Sequence, residues 1–352
     1  MKDFLIIGHG LAGAILSHNL LEQGFTVEVL DQPSNNHSSS VAAGLYNPVT
    51  GRKMVKTWAA DHLFPFLEPY YKKLEAQLGA SFLRPIGIYR PFFSYEDQND
   101  WDMKQSEESY KPFISKIHKK GIESYDLHDE YGGLQLAQSG YVKIPDLLEA
   151  NKKSLVQENS YQEAYFNPDK LEKTNAGFNY MGNDYKAVIY CNGLRVLQTD
   201  HFGWLPMKGV KGEVLEAKTA HQPETILNRG VFILPTDHDT TRIGSNYQNQ
   251  FEDLLPSKKG QQEILDKLQK LSRAKYEILN TVAGVRPATK DRRPIIGKHP
   301  EYEHIYVFNG FGSKGVSLIP YFAQQFTAFL KENQPLWDEV NVSRFYSSYD
   351  SQ

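Results

Sequence analysis

The chain has 352 residues, 40% of them apolar and 23% charged, with a net charge of −3. This is a globular composition with room for two domains and no bulk attraction to nucleic acid or an anionic membrane. The single cysteine, Cys191, excludes an intrachain disulfide and a cysteine-based metal cluster, and no apolar run is long enough to span a bilayer. Met1-Lys2-Asp3 leads straight into an apolar strand without a signal-peptide pattern, so a cytoplasmic location is expected. The histidines show no repeated ligand spacing, and no metal is expected.

In chain order, the first element is an apolar strand at Phe4-Leu5-Ile6-Ile7. It is followed by the turn Gly8-His9-Gly10-Leu11-Ala12-Gly13 and a helix-like stretch from Leu11 to Gln23. Gly8 permits the tight turn, Gly10 lets backbone approach a pyrophosphate, and Gly13 lets helix pack on strand, with free N–H groups facing the anion. A second strand, Thr26 to Leu30, ends at Asp31, where a carboxylate can accept hydrogen bonds from a ribose hydroxyl. This placement of strand, helix and acid reads as dinucleotide binding, and no basic residue replaces Asp31 to favour a 2′-phosphate.

Val41 to Arg52 reads as a loop of small residues that can wrap a flat ligand or simply be mobile. A helix is expected over Trp58 to Leu78, an irregular segment over Phe92 to Glu108, and a helix over Asp146 to Val156 with Pro145 at its start. Short strands are expected at Gln162 to Phe166 and Ala187 to Cys191. Lys211 to Ala217, Gly230 to Leu234 and Thr241 to Gly244 suggest an antiparallel sheet, followed by an amphipathic helix from Ser257 to Leu271. A buried strand, Ile305 to Phe308, feeds a second glycine turn, Gly310-Phe311-Gly312-Ser313-Lys314-Gly315, and a helix from about Val316 to Lys331. Cys191, ending an apolar strand with no histidine partner nearby, is read as a packing residue without chemistry.

Five blocks in this order resemble the D-amino-acid oxidase superfamily of FAD-dependent amine oxidoreductases. They are the N-terminal turn with Asp31; Ser40-Val41-Ala42-Ala43-Gly44; Gly140 to Pro145; Ala187 to Gly193; and Gly284-Val285-Arg286-Pro287 through Asp291, Pro294 and Gly297 to Gly315. Within it, the C-terminal block is similar to the flavin half of bifunctional wobble-uridine tRNA modification enzymes and to glycine oxidases, although Ser313 stands where glycine oxidases carry arginine. The resemblance implies an α/β fold: a glutathione-reductase-type FAD-binding Rossmann domain (1–60, 138–204 and 282–352) interleaved with an antiparallel-sheet (α+β) substrate domain (61–137 and 205–281). It implies noncovalent FAD, contacted by Gly8, Gly10, Leu11, Ala12, Gly13, Asp31, Gln32, Ser40, Ala43, Gly44, Leu45, Asn192, Gly193, Gly284, Arg286, Gly310, Gly312, Ser313, Lys314, Gly315 and Val316.

Arg286 and Lys314 are the catalytic candidates. The Arg286 guanidinium can hold a substrate carboxylate in a bidentate pair, or it can form a structural ion pair with an acid such as Asp291. Lys314 either sits beside the flavin, favouring its reduced anion, or is solvated at a loop tip. Tyr46 and Tyr247 are candidates for lining the substrate cavity, with core or surface packing as the alternative. The expected activity is oxidation of the C–N bond of a small primary or secondary amino acid by hydride transfer to flavin N5, with oxygen or a quinone as electron acceptor. Removal of a carboxymethyl group from a modified tRNA nucleotide and a noncatalytic flavin-binding redox protein are the alternatives. A nicotinamide dehydrogenase would leave the C-terminal block unexplained.

Overall fold

The structure is a computed structural model that describes residues 1–32, 38–51, 53–123, 126–236 and 239–349. Arg52, where the small-residue loop is expected to end, lies outside the described residues. The strand Lys2–Ile7 lies between Val27–Asp31 and Asn183–Tyr190, parallel to both, and Tyr161–Glu163 and Ile305–Asn309 extend the parallel sheet at either side. Its apolar run is uninterrupted because both faces are covered. Phe4 and Ile6 pack under the helices Leu11–Glu22, Ala60–Leu78 and Gly315–Glu332, while Leu5 and Ile7 face a second core with Phe202, Trp204 and Val342.

A second eight-stranded sheet is built on the long pair Met207–Lys218 and Glu277–Thr289 and continues through Thr241–Gly244, Val231–Pro235, Ile226–Arg229, Ile88–Pro91, Gly133–Leu136 and Ile114–His118. Its pairings are antiparallel except for Ile226–Arg229 on Ile88–Pro91. This is the α/β architecture expected from the sequence. Glu277–Thr289 runs through the expected boundary at 282, so the antiparallel sheet itself carries Arg286 into the space between the sheets.

Two elements differ from the sequence reading. Phe92 to Glu108, read as irregular, contains the helix Tyr95–Lys104, capped by Ser94, whose hydroxyl accepts the Asp97 N–H. Its polar composition carries little amphipathic period, with only Gln98 and Trp101 buried, but the Ser94 cap and the acids Glu96 and Asp97 in the first turn are a helix-start signal. The small-residue loop is partly ordered into a helical turn, Ser38–Val41, and the short strands Leu45–Tyr46 and Val49–Thr50.

Candidate active site

The sheets enclose a cavity of ≈ 640 Å³, within the range of small-molecule sites. At one end Gly8 turns with φ +102°, and Gly13 packs so closely that a methyl group there would overlap the Gly8 carbonyl. The His9 N–H donates to Asp31 Oδ1 at 2.8 Å, and the Leu11 N–H donates to Ser39 Oγ at 3.0 Å. Gly10 caps the helix Leu11–Glu22 without a side-chain bond, so amides of its first turn remain available to an anion on the cavity side. Gln32 lines the same end and accepts from Arg195 at 3.0 Å.

Midway, three glycine turns converge. Asn309 Nδ2 donates to the Gly193 carbonyl at 2.9 Å, which ties the C-terminal strand to the turn after Asn183–Tyr190. The Gly312 N–H donates to the Pro287 carbonyl at 3.0 Å. Gly44, at φ +74°, abuts the Val142 carbonyl so tightly that any side chain would collide with it. Asn192 Oδ1 is buried in this part of the cavity and has no hydrogen-bond partner among the described residues, an acceptor left for a ligand donor. Lys314 begins the helix Gly315–Glu332; its Nζ lies 3.5 Å from Thr50 Oγ1. Burial holds its pKa below the usual lysine value, and the nearby charges of Arg293 and Arg292 push in the same direction.

The far end is formed by the antiparallel sheet. Arg286 Nη2 donates to Ser245 Oγ at 2.9 Å and Nη1 to the Asn246 carbonyl at 3.4 Å, and its guanidinium lies over the Tyr247 ring at 4.5 Å. No carboxylate among the described residues lies within ion-pair distance of it, and Asp291 pairs instead with Arg344 at 2.9 Å. Burial lowers the Arg286 pKa, as it must for a cation without a counter-charge. Val214, Asn228, Phe232 and Phe251 complete a largely apolar chamber around it.

Most of the residues expected from the sequence line this one cavity: Gly8, Gly10, Leu11, Ala12, Asp31, Gln32, Ala43, Gly44, Leu45, Asn192, Gly193, Gly284, Arg286, Gly312, Ser313, Lys314, Gly315, Val316 and Tyr247. Four do not line it. Tyr46 is fully buried on the opposite side of a two-residue strand from Leu45, and its hydroxyl donates to Glu68 at 3.1 Å. Ser40 is exposed, and its neighbour Ser39 makes the contact with the first helix. Gly13 and Gly310 shape the turns from behind; a methyl on Gly310 would meet Thr289 Cγ2 at 2.7 Å. Cys191 is buried, and burial raises its thiol pKa, so no thiolate is offered. The sequence reading missed Thr50, Ser245, Asn228 and Gly212. Only Gly212 carried a signal, a glycine inside a strand marking close approach of another group.

Residues 3–329 match the family described as DAO, FAD dependent oxidoreductase. The chain belongs to this family. FAD is its cofactor, and the chain is an FAD-dependent oxidoreductase. Among curated proteins it is 24% identical to the tRNA 5-methylaminomethyl-2-thiouridine biosynthesis bifunctional protein MnmC of Legionella pneumophila (strain Corby), over 91% of this chain and 53% of that protein. It is 23% identical to the uncharacterized oxidoreductase YurR of Bacillus subtilis (strain 168), over 91% of this chain and 92% of that one. The chain thus spans about half the length of the MnmC proteins it matches. Solved structures with the same fold include glycine oxidase from Bacillus cereus ATCC 14579 (TM-score 0.76, 20% identity, 95% of this chain and 96% of that one). Another is iminodiacetate oxidase from Chelativorans sp. BNC1 (TM-score 0.79, 18% identity, 97% and 98%).

The cavity suits FAD on its own chemistry. Two helix starts without side-chain caps, at Gly10 and Lys314, offer N–H groups at separate places on one wall. The unpartnered Asn192 Oδ1 supplies an acceptor between them. Among the described residues no helix is long and apolar enough to cross a membrane, and no group of three or more His, Cys, Asp or Glu is placed to hold a metal.

Proposed function

We propose that the protein oxidises the Cα–N bond of a small amino acid, with an N-substituted glycine or a D-amino acid as its substrate class. The observation that carries this reading is the Arg286 guanidinium, buried against the cavity, fixed by Ser245 and Asn246, and without a carboxylate within ion-pair distance among the described residues. A substrate carboxylate supplies the missing counter-charge in a bidentate pair, which fixes the α-carbon one bond away. FAD, bound without a covalent link, would supply the hydride acceptor for this carbon.

The chain's own residues then orient the substrate and exclude water. Tyr247, Phe251, Phe232 and Val214 line the chamber with apolar surface. The substrate enters as the neutral amine, and the imine left by hydride loss takes up water to give a carbonyl compound and an amine. Lys314, cationic in the cavity wall, stabilises negative charge that develops beside it. Arg286 and Lys314 are the residues assigned to the reaction. The electron acceptor is oxygen or a quinone.

A second reading, removal of a carboxymethyl group from a modified tRNA nucleotide, draws on one observation. Beside Lys314 the turn carrying Lys290, Arg292 and Arg293 is basic, and its acid, Asp291, is engaged by Arg344. A carboxymethylamine is itself an N-substituted glycine, so Arg286 would serve either substrate. The test is anaerobic addition of glycine, sarcosine, proline, D-amino acids and carboxymethylaminomethyl-modified tRNA to the holoprotein. Bleaching of the flavin by a free amino acid supports the first reading, and bleaching by the tRNA alone replaces it with the second. Flavin that stays oxidised with all of them overturns both.

A further inference from the structure

Two buried arginines of the antiparallel sheet take no part in the chemistry above, and they share an unusual arrangement. Arg90, on Ile88–Pro91, donates from Nη1 to the Val49 carbonyl at 3.1 Å and from Nη2 to the Gly51 carbonyl at 3.0 Å. Arg242, on Thr241–Gly244, donates from Nη1 to the Ala42 carbonyl at 3.0 Å and from Nη2 to the Val41 carbonyl at 2.6 Å. In both, Nε is buried with no partner, and no carboxylate among the described residues lies within ion-pair distance. Each is thus a forked cation spent on two backbone carbonyls of the same loop, one at its start and one at its end.

That loop walls the cofactor cavity through Val41, Ala42, Ala43, Gly44, Leu45 and Thr50. Between the forks it is held by the Val142 N–H on the Gly44 carbonyl at 2.9 Å. Its middle is anchored by the buried Tyr46 and Val49 and by the pairing of Leu45–Tyr46 with Gly140–Val142 and of Val49–Thr50 with Val55–Lys56, and the two forks fix its start and its end. Val41 is pressed against Gly284, where a methyl would come within 2.9 Å of Val41 Cβ, and Thr50 is the residue within reach of Lys314 Nζ. A shift at either fork therefore moves a wall residue. Burial pushes the Arg90 pKa down to about 10 and lowers that of Arg242, where Glu216 on the paired strand offsets the burial in part. Unbalanced buried charge is costly, and carbonyl acceptors offset it only in part.

We propose that Arg90 and Arg242 are a pair of positioning residues that clamp the 41–51 loop in its FAD-ready shape and place two buried positive charges behind that wall of the cavity. A wall so charged favours the electron-rich reduced flavin over the oxidised one. The proposal rests on the family's FAD and not on the identity of the substrate.

The test uses the purified holoprotein with Arg90→Gln and Arg242→Gln, and Arg90→Lys and Arg242→Lys beside them. FAD release is followed by flavin fluorescence on dilution, the midpoint potential by dye equilibration, and folding by circular dichroism. Each Gln variant is expected to release FAD at least tenfold more readily and to have a more negative potential. Each Lys variant, which keeps the charge but not the fork, is expected to release FAD more readily while its potential stays near the parent's. Folded Gln variants that hold FAD within twofold of the parent, or that keep its potential, overturn the proposal. If the Gln variants do not fold, hydrogen exchange on the parent decides. Protection of the 41–51 amides that survives removal of FAD supports the clamp, and protection that vanishes with FAD overturns it. A holoprotein that binds FAD as expected but oxidises no amino acid would defeat the proposed substrate and leave this result intact.

Discussion

Gly212 makes room for Arg286. The two sit on neighbouring strands, and the guanidinium lies across the bare backbone of Gly212 so closely that a methyl group there would overlap both terminal nitrogens. The obstructed group is the far end of a long side chain, so Gly212→Ala leaves the fold standing and turns the guanidinium away from Ser245. The expected result is a KM for the amino acid raised at least tenfold, about 1.4 kcal/mol of binding, with FAD content unchanged. Steady-state kinetics with flavin quantitation checks it.

Removing the cation itself is a stronger perturbation. Arg286→Ala is expected to lower kcat/KM by roughly a hundredfold or more, since charge-assisted hydrogen bonds contribute about 1.5–3 kcal/mol and the pair also orients the α-carbon. Arg286→Lys keeps the charge but not the fork and falls between the two. Rapid-reaction measurement of flavin reduction under anaerobic conditions separates this loss from any effect on reoxidation.

Lys314 predicts a pH dependence with a definite sign. Its pKa lies below the ordinary 10.5 because it is buried and faces Arg293 and Arg292. The cationic form is the useful one, so reduction slows as pH rises through that lowered pKa. Arg293→Gln removes one repelling charge and moves the alkaline limb to higher pH, and Lys314→Met abolishes it. Rate profiles between pH 7 and about pH 11 would show both changes.

The sequence made the dinucleotide end legible because each part is local: strand, glycine turn, helix and Asp31 follow one another within a single strand–helix–strand unit. It did not separate Ser39 from Ser40, because a helical turn sets which hydroxyl faces Leu11. Nor did it show that Tyr46 turns inward, because the parity of a two-residue strand depends on its pairing with Gly140–Val142. Arg286 was visible as a motif residue and Tyr247 as a candidate for the cavity lining, whereas Ser245 and Gly212, which fix the position of Arg286, come from other strands and loops brought near by the antiparallel sheet. Arg90 lay outside every motif and Arg242 was legible only as part of an expected strand, since their partners are backbone carbonyls 39 to 201 positions away.

Acid stability has its own marker, remote from the cavity. His299 is buried among Phe202, Trp204, Tyr302 and Tyr349, and burial, with the neighbouring His201, pushes its pKa to about 4 from an ordinary 6.5. The unfolded chain binds this proton first, so the native state loses stability as pH falls from 6.5 toward 4 and is unaffected by this group above 6.5. Denaturant unfolding across that window, repeated with His299→Gln, should show a shallower slope in the variant.

The most direct test of the central claim is to follow flavin absorbance anaerobically while adding sarcosine and, separately, dimethylamine, which offers the same methylamine without the carboxylate. Sarcosine is expected to bleach the flavin, dimethylamine to bleach it little or not at all, and Arg286→Ala to lose that preference. Equal reduction by both amines, or a preference for sarcosine that survives Arg286→Ala, would contradict the role of Arg286 as the carboxylate anchor.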